Sequence, residues 1–200
     1  LVNQPPAPTP EQFERQLTAL VQSAATEADF PLQQAIRFDH LDTVRAMGRT
    51  VQHRISALVE MGRPDFALAI LTDTIARTAF AVSRLDNALA WSHLASLNSL
   101  RADLLDQMDR AEDARAARAL AIDHYTRAAE RDPRGVFHPV RLARLAASIG
   151  DPDGARRWAR QALENHADAR LDPVMGLNET ELAEMERLAR PAATDDPPPP

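Results

Sequence analysis

The chain has 200 residues, 44% of them apolar but only 4% aromatic, so a core must be built mostly from Ala, Leu, Val and Ile, and Ala is the strongest helix former. All 23 basic side chains are Arg, a composition that reads as coding bias, and the net charge of −6 excludes the broad basic face of a general nucleic-acid binder. The absence of Cys excludes disulfides, thiolate catalysis and Cys-ligated metals, and no run reaches the ~18–20 consecutive apolar residues of a membrane span.

Nine of the 15 prolines fall near the two ends, which predicts Pro-rich extended tails over residues 1–9 and 191–200 flanking a helical region over 10–190. The first residues carry no signal-peptide pattern, and a start at Leu1 rather than Met is what a processed chain or a fragment would show.

Thr9 to Gln12 reads as a capping box ahead of Phe13, Leu17, Leu20, Val21, Ala24 and Ala28, which share one helical face. A short helix is expected after Pro31. Asp42 can then cap a helix carrying Val44, Val51, Ile55, Leu58 and Val59 up to Gly62, with Gly48 on its apolar face. Pro64 opens a helix with Phe66, Leu68, Ile70, Leu71 and Ile75, Pro being tolerated in a first turn. Ser83 to Asp86 reads as a second capping box, before Leu89, Leu94, Leu97, Leu104 and Met108.

A long helix is predicted over 111–131, with Ala114, Ala117, Ala121, Tyr125 and Ala128 on one face, ended by Asp132, Pro133 and Gly135. Pro139 to Ile149 and Pro152 to Asn165 make the clearest hairpin: Gly150 stops one helix and Asp151 caps the next. Asn178 with Glu181 caps a last helix bearing Leu182, Met185 and Leu188. No alternating strand pattern appears, so the expected fold class is all-α.

A phrase recurs at the turns: Met61–Gly62 before Phe66–Ala67, Met108–Asp109 before Asp113–Ala114, and Ile149–Gly150 before Gly154–Ala155. The anchoring alanines are spaced by 47 and 41 residues. Over 139–167 the chain resembles the tetratricopeptide family: Leu142, Ala143 and Ala146 match its first helix, Gly150 its turn, and Ala155, Ala159 and Ala162 its second helix. The two earlier units match in part and exceed the family period of ~34, the middle one by about seven residues in its second helix. The resemblance implies antiparallel helix-hairpin repeats, a degenerate solenoid whose first helices line a binding groove. It places Arg49, Gln52, Ser99, Asp103, Asp106, Val140 and Arg144 on that groove.

A second resemblance covers about a tenth of the chain. Leu171, Asp172, Pro173, Val174, Leu177 and Glu181 look like the closing segment of the helical-repeat region that follows the membrane part in some bacterial O-antigen ligase or polymerase-like proteins. That resemblance implies an extracytoplasmic, periplasmic-side region attached to a membrane complex, helping glycan assembly by binding.

Catalytic and metal patterns find little to rest on. His40, His53, His93, His124, His138 and His166 include no pair at ligand spacing on one predicted helix. Asp103, Asp106 and Asp109 form a ladder that can hold a cation, or can be neutralised by Arg101, Arg110 and Arg115. Asp151 and Asp153 hint at a calcium loop, but later oxygen ligands are missing and helix capping explains them. Phosphate-binding and nucleophile-elbow motifs are absent. These readings predict no enzyme, no cofactor and no metal.

Charge is unevenly distributed. Residues 110–160 hold 11 Arg against seven acids, a net of +4, while the remainder carries −10. Arg141, Arg144, Arg156, Arg157 and Arg160 lie on adjacent predicted helices. They either receive a carboxylate or phosphate from a partner or pair with acids of this chain. The first option adds Arg157 to the candidate binding residues. The expected function is a protein- or peptide-binding scaffold whose partner offers an acidic group, with the glycan-assembly accessory region as the alternative.

Overall fold

The computed structural model describes residues 41–169 and 176–190. Among them are seven α-helices and no strand: α1 (Leu41–Glu60), α2 (Pro64–Leu85), α3 (Ala88–Gln107), α4 (Ala111–Arg131), α5 (Phe137–Ser148), α6 (Pro152–Asp168) and α7 (Glu179–Ala189). The fold class is all-α. The helices expected after Thr9 and after Pro31, both Pro-rich tails, and Leu171 to Val174 lie outside the described residues.

Two compact units divide between Arg77 and Thr78, within α2. In the first, α1 runs unbroken through Gly48, and Ile55, Leu58, Ala67 and Leu71 are buried. Helix α2 is long and apolar enough, by length and composition alone, to cross a membrane. A count of uninterrupted apolar residues overlooks it because Asp73 and Arg77 break the run.

In the second unit α3 and α4 form an antiparallel hairpin. Asp86, Asn98 and Asp106 meet Arg131, His124 and Arg118 in turn, so the two helices run past each other in opposite directions. Helix α4 buries a narrow stripe of Ala114, Ala117, Ala121, Tyr125 and Ala128. Small side chains there let the helices approach, and Tyr125 keeps its polar end satisfied through Ser96 Oγ, 2.8 Å away. Helix α3 buries residues on most of its circumference, from Leu89 and Ala90 to Leu104 and Leu105, as a helix enclosed by its neighbours must.

Helices α5, α6 and α7 enclose a further core, in which Val136, Val140, Ala143, Ala159, Ala162 and Met185 form one buried cluster. Burying each larger apolar side chain contributes ~1.5–3 kcal/mol. Buried Asn165 closes the end of α6 onto the α4–α5 loop, donating to the carbonyls of Pro133 and Gly135 at 3.0 and 2.9 Å.

The three turns picked out by the repeated phrase share one backbone geometry. Gly62, Asp109 and Gly150 each adopt a left-handed conformation, with φ of 69°, 57° and 75°. At each, the next N–H reaches back to a carbonyl five residues earlier: Arg63 to Leu58 at 2.8 Å, Arg110 to Leu105 at 2.9 Å and Asp151 to Ala146 at 2.9 Å. This is the Schellman closure that satisfies the last carbonyls of a helix. Beyond each turn, Ala67, Ala114 and Ala155 are buried.

The α2–α3 junction differs from the expected capping box. Ser83 lies inside α2, its hydroxyl donating to the Phe80 carbonyl at 2.7 Å. The cap of α3 is Asn87, whose Oδ1 accepts the Ala90 N–H at 2.8 Å. Helix propensity through Leu85 outcompetes the Ser–Asp pattern, and Asn87 supplies an equally good cap four residues later.

Candidate partner-binding surface

Helix α6 begins on two local signals. Asp151 accepts the Gly154 N–H at 2.8 Å and Pro152 occupies the first turn. A Cβ at Gly154 would meet the Asp151 carboxylate, so a larger residue there requires that side chain to shift. With Ala155, Ala159 and Ala162 turned inward, the helical period sends Asp153, Arg156, Arg157, Arg160, Gln161 and Glu164 outward, where they line a shallow open depression along the helix.

The three arginines of this stripe are in different states. Arg156 donates from Nη1 to Asp153 at 2.7 Å and from Nε to the Arg190 carbonyl at 3.2 Å. Arg157 is exposed, its guanidinium 5.5 Å from the ring centre of Trp158. Arg160 is exposed too. Among the described residues neither Arg157 nor Arg160 has an acidic partner. Two unneutralised guanidinium groups one helical turn apart therefore face solvent.

Helix α7 decides the fate of the other arginine on which the sequence reading relied. Arg144 is held by Glu184 of α7 through Nε at 3.0 Å and Nη2 at 2.6 Å, with Glu181 at 3.8 Å. The Glu184 bond, with the charges of both acids, raises the pKa of this guanidinium further. Val140, one turn earlier on the same face, is 2% exposed and lies in the cluster with Met185 of α7. Val140 is thus buried beneath α7, while Arg144, a third exposed, is engaged by the acids of that helix.

The remaining candidates are scattered. Arg49 lies in α1 ahead of the residues whose side chains are described, and Gln52 is exposed on the same helix. On α3, Ser99 is half-buried and donates to the Ala95 carbonyl at 3.2 Å. Asp103 and Asp106 are exposed one turn apart. Partial desolvation pushes the Asp103 carboxyl up, against the pull of Arg118. Asp106 pairs with Arg118 across the hairpin, while Arg110 and Arg115 are occupied by Asp113 and Glu112. Of the ladder, Asp106 is paired, by an arginine twelve residues away on the next helix.

One arrangement had no forewarning in the sequence. Trp91 donates from Nε1 to Asp86 at 2.7 Å, and Arg131 binds the same carboxylate oxygen at 2.6 Å. Arg127 and Arg131 lie 4.7 and 5.5 Å from the Trp91 ring centre. These bonds, led by that from Trp91, hold the Asp86 carboxyl below its usual range. The clasp fastens the open end of the α3–α4 hairpin; residues 45 positions apart share no periodicity that would announce it.

No protein-family model matches the chain, and no curated protein is significantly similar to it in sequence.

Proposed function

We propose that this chain is a non-catalytic, protein-binding scaffold of tetratricopeptide-like helix hairpins that receives an acidic segment of a partner protein on the outward face of α6. The observation that carries this reading is the pair Arg157 and Arg160, exposed and without an acidic partner among the described residues, in a chain whose net charge is −6. Arg suits the task because its planar fork offers two parallel donors and stays charged at any working pH. The recurring left-handed turns and the buried alanines behind them support the repeat reading. The depression on α6 is lined by the side chains of one helix, a form suited to an extended peptide rather than to enclosing a substrate.

A fluorescein-labelled hexaglutamate peptide is a direct probe of this face. Fluorescence anisotropy at low salt is expected to show binding that weakens as salt rises, since exposed charges are screened beyond ~8–10 Å at moderate ionic strength. Replacing Arg157 and Arg160 together by Gln is expected to remove it. Binding indifferent to salt and to both substitutions overturns the proposal.

A further inference from the structure

The charges along the outward face of α6 do not share one sign. Asp153, Arg157, Arg160 and Glu164 follow one another along the helix, all four exposed, and all line the same shallow depression. At ~3.6 residues per turn they fall within about 60° of one another around the helix axis, and at ~1.5 Å rise per residue Glu164 lies about 6 Å beyond Arg160 and about 10.5 Å beyond Arg157.

The acids at the two ends of this row are in different states. Asp153 is held by Arg156 Nη1 at 2.7 Å, whereas Glu164 has no basic partner among the described residues. Arg160 stands one turn before Glu164, the less favourable order for an ion pair on a helix, and the two are not paired. Gln161, its neighbour in the depression, donates instead to Asn165 Oδ1 at 2.9 Å. From its N-terminal end the row therefore offers a neutralised pair, two free guanidinium groups and one free carboxylate.

We propose that Glu164 selects the partner: the segment received on α6 carries two adjacent acids for Arg157 and Arg160, and two to three positions away a basic residue for Glu164. This rests on that face being the anion-receiving surface. The spacing follows from an extended chain advancing ~3.3–3.6 Å per residue against the helical rise between the arginines and Glu164. A segment of acids alone places a carboxylate against Glu164, and like charges repel there. The face thus discriminates by repulsion of the wrong segment as well as by attraction of the right one.

The test compares two fluorescein-labelled peptides, hexaglutamate and Arg-Gly-Glu-Glu-Gly-Arg, the second presenting a basic residue to Glu164 in either chain direction. In anisotropy titrations at low salt, Glu164→Gln is expected to move the two affinities in opposite directions. Hexaglutamate tightens about twofold to fourfold and the mixed peptide weakens by about the same factor, the range that one exposed ion pair supplies. Glu112→Gln removes an equal charge from an exposed position on α4 and is expected to move neither, which separates local contact from net charge. Replacing Arg157 and Arg160 together by Gln is expected to abolish binding of both peptides. Shifts of one sign or no shift in Glu164→Gln, or the same shifts in Glu112→Gln, overturn selection by Glu164 while leaving the α6 reading intact; absence of binding of both peptides to the parent chain overturns that reading itself.

Discussion

One carboxylate oxygen of Glu184 accepts both the Nε and the Nη2 donors of Arg144, 40 residues away in sequence. The two side chains are 30% and 33% exposed, so the pair has neither the full strength of a buried ion pair nor the near-zero worth of a solvated one.

A double-mutant cycle measures it. Arg144→Gln and Glu184→Gln are each expected to lower the denaturation midpoint, with a coupling of about 1 kcal/mol between them. Arg144→Gln is expected to leave affinity for the hexaglutamate probe unchanged, because its guanidinium faces α7 rather than the α6 stripe. A coupling of zero would mean that α7 is held by Met185 and its apolar neighbours alone.

The shared turn geometry gives two substitutions of opposite sign. Asp109 holds a φ of 57°, a conformation that costs ordinary residues ~1–2 kcal/mol and Asp somewhat less. Asp109→Gly is therefore expected to stabilise by about 0.5 kcal/mol after the entropic cost of Gly. Gly150 has a φ of 75° and nothing within 4 Å of an added Cβ, so Gly150→Ala is expected to destabilise by about 1 kcal/mol through backbone strain alone. Urea midpoints at constant m-value read both, and the same sign for the two would show that the turns are not equivalent.

His93 makes folding sensitive to acid. Burial lowers its pKa from the ordinary 6.5 to about 4, and burial also lowers His124 and His138. Each folded value lies below the unfolded one, so the unfolded chain takes up protons first as pH falls. The stability these residues contribute is complete above about pH 6.5 and for His93 is lost progressively down to about pH 4, at a cost of roughly 3 kcal/mol. Denaturant titrations from pH 7 to pH 4 are expected to show this loss reduced in His93→Gln. A variant that keeps the parent's full pH slope would place the titrating group elsewhere.

Much of the fold was legible because its signals are local. The stripe Ala114, Ala117, Ala121, Tyr125 and Ala128 was readable as one face, and all five are buried. Asp151 and Asn178 were readable as caps, and both accept the backbone N–H three residues on. Capping, turn closure and helical period act within a few residues, so their evidence lies within a short window of sequence. The capping box at Ser83 misled because Asn87 offered the same chemistry nearby.

Among the described residues, the sequence by itself determined that the chain is helical, where most of the helices stop and which side of helices such as α4 and α6 is apolar. Tertiary structure decided which charges remain available to a partner. Arg144 and Arg157 were both read as available to a partner, yet the acids of α7 pair the first and leave the second exposed. Asp106 was matched with arginines near it in sequence and instead met Arg118 from the opposing helix. Such pairings depend on how adjacent helices pack and on where a later helix comes to rest. That is a balance of close packing and desolvation among residues 12 to 40 positions apart, which no local periodicity records.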